Sequence, residues 1–375
     1  MRYAMIMAGG AGTRLWPMSR QDRPKQLVPF IRRNGRSMSL LEIAAERLEG
    51  LVAPENRYIC TNEGYRKAIR TALPRFTDEQ ILGEPVGRDT VNAVGFAAAV
   101  LHKRDPNAVF AVLTADHIIE PADLFRDRME LGFELVEEDP SRLVTFSIAP
   151  TYPATGFGYV EKGSAIPSTD NLAFRVERFV EKPSYEKAQA YLESGAFGWN
   201  SGMFVWKAAT ILDCLRRYKP ESYQGLMQIA GAWGTPRQKD VLDQVYPLLP
   251  RISVDYAIME PATREQTRAQ GRAADPGSVK VCTVLMDLTW LDVGSWPSFA
   301  ETIRADADGN RVSGVGRVSK CEDTLIVNAD DRHTVAALGC EGMIIVHTED
   351  ATLVMPAAKA EELKLLHSEL PEKLK

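Results

Sequence analysis

Residues 3–30 read YAMIMAGGAGTRLWPMSRQDRPKQLVPF, and the reading of this stretch decides the fold. Tyr3 to Ala8 form an apolar run that ends in three glycines, Gly9, Gly10 and Gly12. Glycines placed directly after a buried strand let backbone N–H groups approach an anion closely. Arg14 and, eleven positions on, Lys25 add positive charge at two distances from that backbone. Two familiar phosphate loops fail here. No Gly-Lys-Ser/Thr triplet follows, as a Walker loop requires. Leu15 stands where a dinucleotide fingerprint needs its third glycine. The stretch is either a different anion cradle or a plain strand-to-helix turn with two surface cations.

Outward from this loop, strand-like and helix-like segments alternate. SLLEIAAERLEGL has apolar residues at helical spacing, and RYICT follows as a buried strand. YRKAIRTAL is a helix, ILGEP a short strand, and DTVNAVGFAAAVLHKR a helix with Asp89 or Thr90 as its cap. AVFAVLTADH is an apolar strand ending in polar residues, PADLFRDRMELGFELVEE a helix, and RLVTFSI a strand. Repeated strand–helix–strand units predict a parallel sheet covered on both faces, with ligands at the carboxyl ends of its strands. Glycine-punctuated strands, GFGYVEKG and FRVERFVEKP, follow from about Thr151. After about Asp308 many short β-prone runs broken by Gly, Asn and Asp predict a small all-β unit, closed by the helix AEELKLLHSEL.

The chain has 375 residues, long enough for two or three domains, with 45% apolar and 25% charged residues. A net charge of −5 argues against a broad nucleic-acid or acidic-membrane footprint. Five scattered cysteines, none spaced as C-x-x-C, fit reduced thiols better than disulfides or a zinc site. The five histidines form no ligand-spaced pair. No signal peptide and no apolar run long enough for a bilayer is present, so the expectation is a soluble, cytoplasmic protein.

Several residues could carry chemistry. Asp116, in LTADHII, is either a helix cap or a ligand for a hard cation. Asp292, in WLDVGSW, is a turn aspartate or a second carboxylate for the same ion. Magnesium is held by one or two carboxylates plus substrate phosphates, so two lone aspartates on a phosphate-binding sheet suit it. Glu181 and Lys182, in FVEKP, form a solvated pair or a ligand clamp; Asn200, in WNSGMFVW, is a turn residue or a reader of hydroxyls. Gly156 and Gly158 relieve crowding on a strand or admit a ligand.

Taken in order, AGGAGTRLWPMSR, RPKQ, EPVGRDT, ADHII, ATGFGYV, FVEKP, WNSGMF, ISVDYAIME and DVGSW resemble the mannose-1-phosphate guanylyltransferases, among the sugar-1-phosphate nucleotidylyltransferases. The match covers roughly residues 1–300, and the tail is similar to the β-helix-like segment of the short, monofunctional members. The resemblance implies an α/β fold: a Rossmann-like mixed, mostly parallel sheet flanked by helices. It implies a catalytic domain over 1–305, a β-rich segment over 306–375, and a homodimer. It also implies that GTP and mannose 1-phosphate give GDP-mannose and pyrophosphate with Mg²⁺.

Residue by residue, the resemblance puts Ala8, Gly9, Gly10, Gly12 and Thr13 around the nucleotide. Arg14 would hold the leaving phosphates and Lys25 the α-phosphate. Glu84, Gly87, Arg88 and Thr90 would read guanine and ribose, and Asp116 and Asp292 would hold the metal. Lys182 would clamp the sugar phosphate, while Gly158, Glu181 and Asn200 would read the sugar. The family usually has Asn at Asp89, Ala-Pro at Val91-Asn92 and Pro at Thr114. Asp89 lies near the base region, where it either accepts the guanine N–H groups or caps the helix. A guanylyltransferase for glucose or heptose 1-phosphate keeps the same mechanism. A non-catalytic nucleotide-sugar sensor predicts loss of phosphate-handling residues, yet Arg14, Lys25, Asp116, Lys182 and Asp292 are all present.

Overall fold

The computed structural model describes residues 1–10, 12–29, 31–33, 35–269 and 278–375, so Ala11 of the opening motif lies outside them. Strands β1 (Arg2–Met7), β2 (Arg57–Asn62), β3 (Ile81–Glu84) and β4 (Val109–Thr114) form the N-terminal half of one sheet. They lie in the order β3-β2-β1-β4, all parallel. Side chains of a strand alternate between faces, and here each face meets its own helices. Tyr3 and Met5 pack with the helix Asp89–Arg104, whereas Ala4 and Ile6 pack with the helices Leu40–Glu46 and Ala122–Glu138. Burial on both faces explains why β1 reads as an unbroken apolar run.

Beyond β4 the sheet changes character. Strands β5 (His117–Glu120), β6 (Arg142–Ile148), β7 (Gly158–Ala165), β8 (Ala173–Glu181), β9 (Phe197–Lys207), β10 (Lys280–Met286) and β11 (Thr289–Asp292) follow. The sheet continues β4-β9-β6-β10-β8-β7, and β7 pairs back onto β9. In this half only β6 and β10 run parallel; the other pairs are antiparallel. The expected mixed sheet is therefore present, with "mostly parallel" true of its N-terminal half. Because β2 and β3 lie on one side of β1 and β4 on the other, a crevice opens at the carboxyl ends of β1 and β4.

The tail coils as a β-helix-like stack. Arg311–Ser313, Leu325–Asn328 and Met343–His347 pair in parallel, Thr352–Pro356 closes them antiparallel, and Gly316–Ser319 pairs with Val335–Leu338 on a second face. Ile326 points into the coil with Cys321 and Ala337. Its neighbours Leu325 and Val327 instead share a core with Leu15, Trp16, Trp296 and Phe299 of the larger unit. Among the described residues, no helix is long and apolar enough to cross a membrane.

Candidate active site

The glycine loop leaves β1 at the crevice. Ala8 is buried, and its carbonyl accepts from Gln26 Nε2 at 2.6 Å and from Thr61 Oγ1 at 2.9 Å. Gly9 and Gly10 are exposed. Gly12 adopts φ 65°, and a Cβ there would stand 2.6 Å from Lys25 Cβ. Only glycine permits that approach, which lays the Lys25 side chain against the loop. Thr13 and Arg14 form the next short turn, Thr13–Leu15.

Lys25, only 9% exposed, donates from Nζ to Asp116 Oδ2 at 2.8 Å. Asp116 is not a helix cap: the chain re-enters a strand at once, as β5. β5 pairs antiparallel with β11, setting Asp292 opposite His117. This ribbon brings two carboxylates 176 residues apart in sequence to one place, with potential ligand atoms of Asp116, His117 and Asp292 within 4.8 Å of one another. Asp116 keeps 31% of its side chain exposed, leaving an edge free for a ligand. Burial would raise its carboxyl, but the charge and hydrogen bond of Lys25 outweigh that and hold it well below the usual carboxylate range. Burial and the neighbouring Asp116 push Asp292 up.

His117 was not anticipated as part of this group. Trp290 Nε1 donates to His117 Nδ1 at 3.2 Å, and the Thr114 hydroxyl lies 2.5 Å from the same nitrogen. An indole N–H only donates, so Nδ1 accepts and the neutral ring carries its proton on Nε2. Nε2 faces Asp116 Oδ1 at 3.7 Å. Asp116 and Asp292 are the members of this group that offer hard carboxylate oxygens. Burial lowers its pKa, which favours the neutral ring.

Arg14 Nη1 donates to Glu361 Oε1 of the tail at 2.7 Å. Its Nη2 borders Gly294, whose hypothetical Cβ would lie 3.2 Å from it and 3.3 Å from Asp292 Oδ1. Arg14 therefore flanks the aspartate ribbon.

Glu84 ends β3 with one carboxyl oxygen 4.0 Å from where a Gly9 Cβ would be. Tyr246 O–H donates to its Oε1 at 2.6 Å. Burial pushes the Glu84 carboxyl up to about 7 despite hydrogen bonds from Tyr246 and Cys60. Gly87 is exposed, while Arg88 donates to the Pro247 carbonyl and Thr90 Oγ1 accepts from Val254 N at 2.9 Å. The side chains of Arg88 and Thr90 thus tie the loop after β3 to residues 247–254. Asp89, at φ 63°, accepts from Thr90 N at 2.8 Å, a local bond at the start of the helix. Asn92 is fully buried and donates to the Arg88 and Pro250 carbonyls, which makes it part of the scaffold.

A second cluster lies on β7, β8 and β9. Gly158, Glu181 and Asn200 meet there: a Cβ on Gly158 would stand 2.5 Å from Glu181 Oε2 and 3.3 Å from Asn200 Cβ. Lys182 Nζ donates to Glu181 Oε1 at 2.8 Å, a bond that raises the lysine pKa. Lys182 adopts φ 48°, a strained backbone for a lysine, of the kind that gathers at ligand clamps. Asn200 donates to Asp255 Oδ1 at 3.0 Å, an acid the reading of ISVDYAIME left without a role. Tyr152, Phe157, Trp199 and Trp290 stack edge-to-face between this cluster and His117, linking the two ends of the cleft. Two cavities, of about 740 Å³ beside Tyr58 and Lys103 and about 890 Å³ between Arg20 and the tail, reach none of Lys25, Asp116 or Asp292.

Residues 3–309 match the nucleotidyl transferase family, and residues 322–370 match the mannose-phosphate isomerase/GMP-like β-helix domain. A mannose-1-phosphate guanylyltransferase of Klebsiella pneumoniae is 37% identical over 97% of this chain and 73% of its own length. A xanthan biosynthesis protein, XanB, of Xanthomonas campestris pv. campestris is 33% identical over 98% of this chain and 72% of its own. A Thermus thermophilus structure described as a mannose-1-phosphate geranyltransferase superposes with a TM-score of 0.82 at 32% identity, over 98% of both chains.

Proposed function

Since this chain belongs to the nucleotidyl transferase family, we propose that it transfers GMP from GTP to mannose 1-phosphate, giving GDP-mannose and pyrophosphate. The observation that carries the reading is Lys25, held 2.8 Å from Asp116 with Asp292 alongside, at the mouth of the glycine loop. A phosphate oxygen of the sugar attacks the α-phosphorus in line, one P–O bond forms, and the bond to the departing pyrophosphate breaks. Little covalent help is needed, so positioning and charge neutralisation dominate.

In this reading the loop of Ala8, Gly9, Gly10, Gly12 and Thr13 surrounds the nucleotide, with Gly87, Arg88 and Thr90 framing the base and ribose. Glu84, beside Gly9, accepts the guanine N–H groups when ionised. Arg14 turns from Glu361 to the β- and γ-phosphates. Lys25 meets the α-phosphate, where charge reorganises. Asp116 and Asp292 supply the hard oxygen donors that suit Mg²⁺, which would contribute positive charge to the phosphate oxygens. Lys182 holds the sugar phosphate, and Gly158, Glu181 and Asn200 face the sugar.

We assign the reaction to residues 1–305, in the cytoplasm, and a homodimer contact to the β-rich segment 306–375. Sedimentation of the purified protein tests that contact. The transferase reading is tested by pyrophosphate release with Mg²⁺ across GTP, ATP, UTP and dTTP, each against mannose, glucose and heptose 1-phosphates. The GTP–mannose 1-phosphate pair should dominate. A maximum elsewhere reassigns the substrate, and silence from folded, nucleotide-binding protein overturns the enzyme reading.

A further inference from the structure

Asp255 takes no part in the transfer steps just described, yet it stands in the sugar-facing cluster. It opens a π-helical turn, Asp255–Met259, a rare element found frequently at functional sites. Its Oδ1 accepts from Asn200 Nδ2 at 3.0 Å, while Thr145 Oγ1 donates to Asn200 Oδ1 at 2.7 Å. Both ends of the Asn200 amide are therefore assigned, and a flip would break two hydrogen bonds at once. Burial, then the charge of Glu181, push the Asp255 carboxyl up to about 7.

Anchoring one amide does not require a second acid beside Glu181. A neutral acceptor would do that without the repulsion and desolvation that two neighbouring carboxyls bring. Gly158 leaves the recess between Glu181 and Asn200 open, since a Cβ there would touch both. Asp255 is not fully shielded and keeps an edge toward solvent. A second carboxyl in this cluster adds acceptor oxygens for the adjacent hydroxyls of a sugar.

Resting on the transferase reading, we propose that Asp255 is a specificity-determining residue of the sugar end of the cleft. It fixes the Asn200 amide and supplies, beside Glu181, the second carboxyl against which sugar hydroxyls are read.

Steady-state kinetics of Asp255→Asn, with mannose 1-phosphate, glucose 1-phosphate and the monodeoxy mannose 1-phosphates, test this. The KM for mannose 1-phosphate should rise about tenfold or more, the scale of losing a contact to a substrate hydroxyl. The KM for GTP should stay put. The preference for mannose over glucose should fall, and the penalty for removing one particular hydroxyl should disappear. Unchanged sugar KM and selectivity would overturn the proposal. So would a parallel rise in both KM values with a lowered Tm, because that is what a purely structural acid predicts. Asp255→Ser, which removes the carboxyl without adding an amide, gives the same readouts if the first variant does not fold. A wild-type protein inactive with every sugar 1-phosphate would bring down the transferase reading itself; an active wild type with an unaffected variant would bring down the Asp255 role alone.

Discussion

At the nucleotide end of the cleft, Lys25 and Asp116 meet at 2.8 Å on loops that leave β1 and β4, neighbouring parallel strands. At the sugar end, Glu181 and Asn200 come from β8 and β9, which each pair antiparallel with β7, and Asp255 from a π-helical turn; the uncharged relay Thr145–Asn200 and its bond to Asp255 join them. Parallel strands all finish at one edge, so their loops converge there without further help. At the sugar end Asn200 comes from mid-strand, Glu181 from a strand end and Asp255 from a helical turn, and side chains bonding to side chains fix them together. The glycine-loop backbone, Lys25 and Asp116 gather where the topology collects loops; the sugar end is a side-chain network satisfied group by group.

The sharpest way to break this contrast is Lys25→Ala. If the nucleotide end acts through charge in the transition state, kcat falls by roughly 10²–10³, the scale for removing one preorganised donor. Pyrophosphate release at saturating substrates measures it, and a change confined to KM would place Lys25 among simple binding groups. Next in size, Asp292→Asn should raise the Mg²⁺ needed for half-maximal rate by about 10–100-fold, the range found when even supporting groups of a metal site are removed. A magnesium titration with an unshifted midpoint would remove Asp292 from the metal site.

Glu84→Gln sharpens the comparison through pH. Buried Glu84 titrates at about 7 against an ordinary 4.5, so the folded protein holds a proton that the unfolded chain releases. That preference is intact below pH 4.5 and is lost as pH rises through about 7. Relative to the wild type, the glutamine variant should therefore gain stability between pH 5 and 8, by at most ~3 kcal/mol. Thermal melts across that range check the sign; a gain on acidification would contradict it. The smallest effect belongs to Glu361→Gln. Its ion pair with Arg14 is exposed on both sides, so the loss in urea melts should stay under about 1 kcal/mol. Pyrophosphate should nevertheless inhibit the variant more strongly, because Arg14 no longer has a competing carboxylate. Equal inhibition would mean that Arg14 does not reach the leaving group.

Much of the nucleotide end is legible in the amino-acid sequence. The apolar run of β1, its glycines and the alternation of strands and helices are properties of a few consecutive residues. Local dihedral freedom and two-residue or 3.6-residue periodicity express them directly. Asp116 is ambiguous in sequence for a physical reason: an acid after a strand caps a helix as readily as it binds a cation. Only the return to strand at His117 resolves it. His117 itself carries no local signal, because its relevant partner, Trp290, lies 173 residues away. Arg88 and Thr90, expected at the base, spend their side chains on residues 247–254.

By itself, the amino-acid sequence determined the layered α/β unit, the glycine cradle with its two cations, and the β-rich character of the tail, because each is written in short-range pattern. Tertiary structure alone decided which acids stand together. The β5–β11 ribbon pairs Asp116 with Asp292, the π-helical turn sets Asp255 against Asn200, and the tail lays Glu361 on Arg14. These meetings depend on packing between segments far apart in the chain, and the short-range pattern of one segment does not name its distant partner.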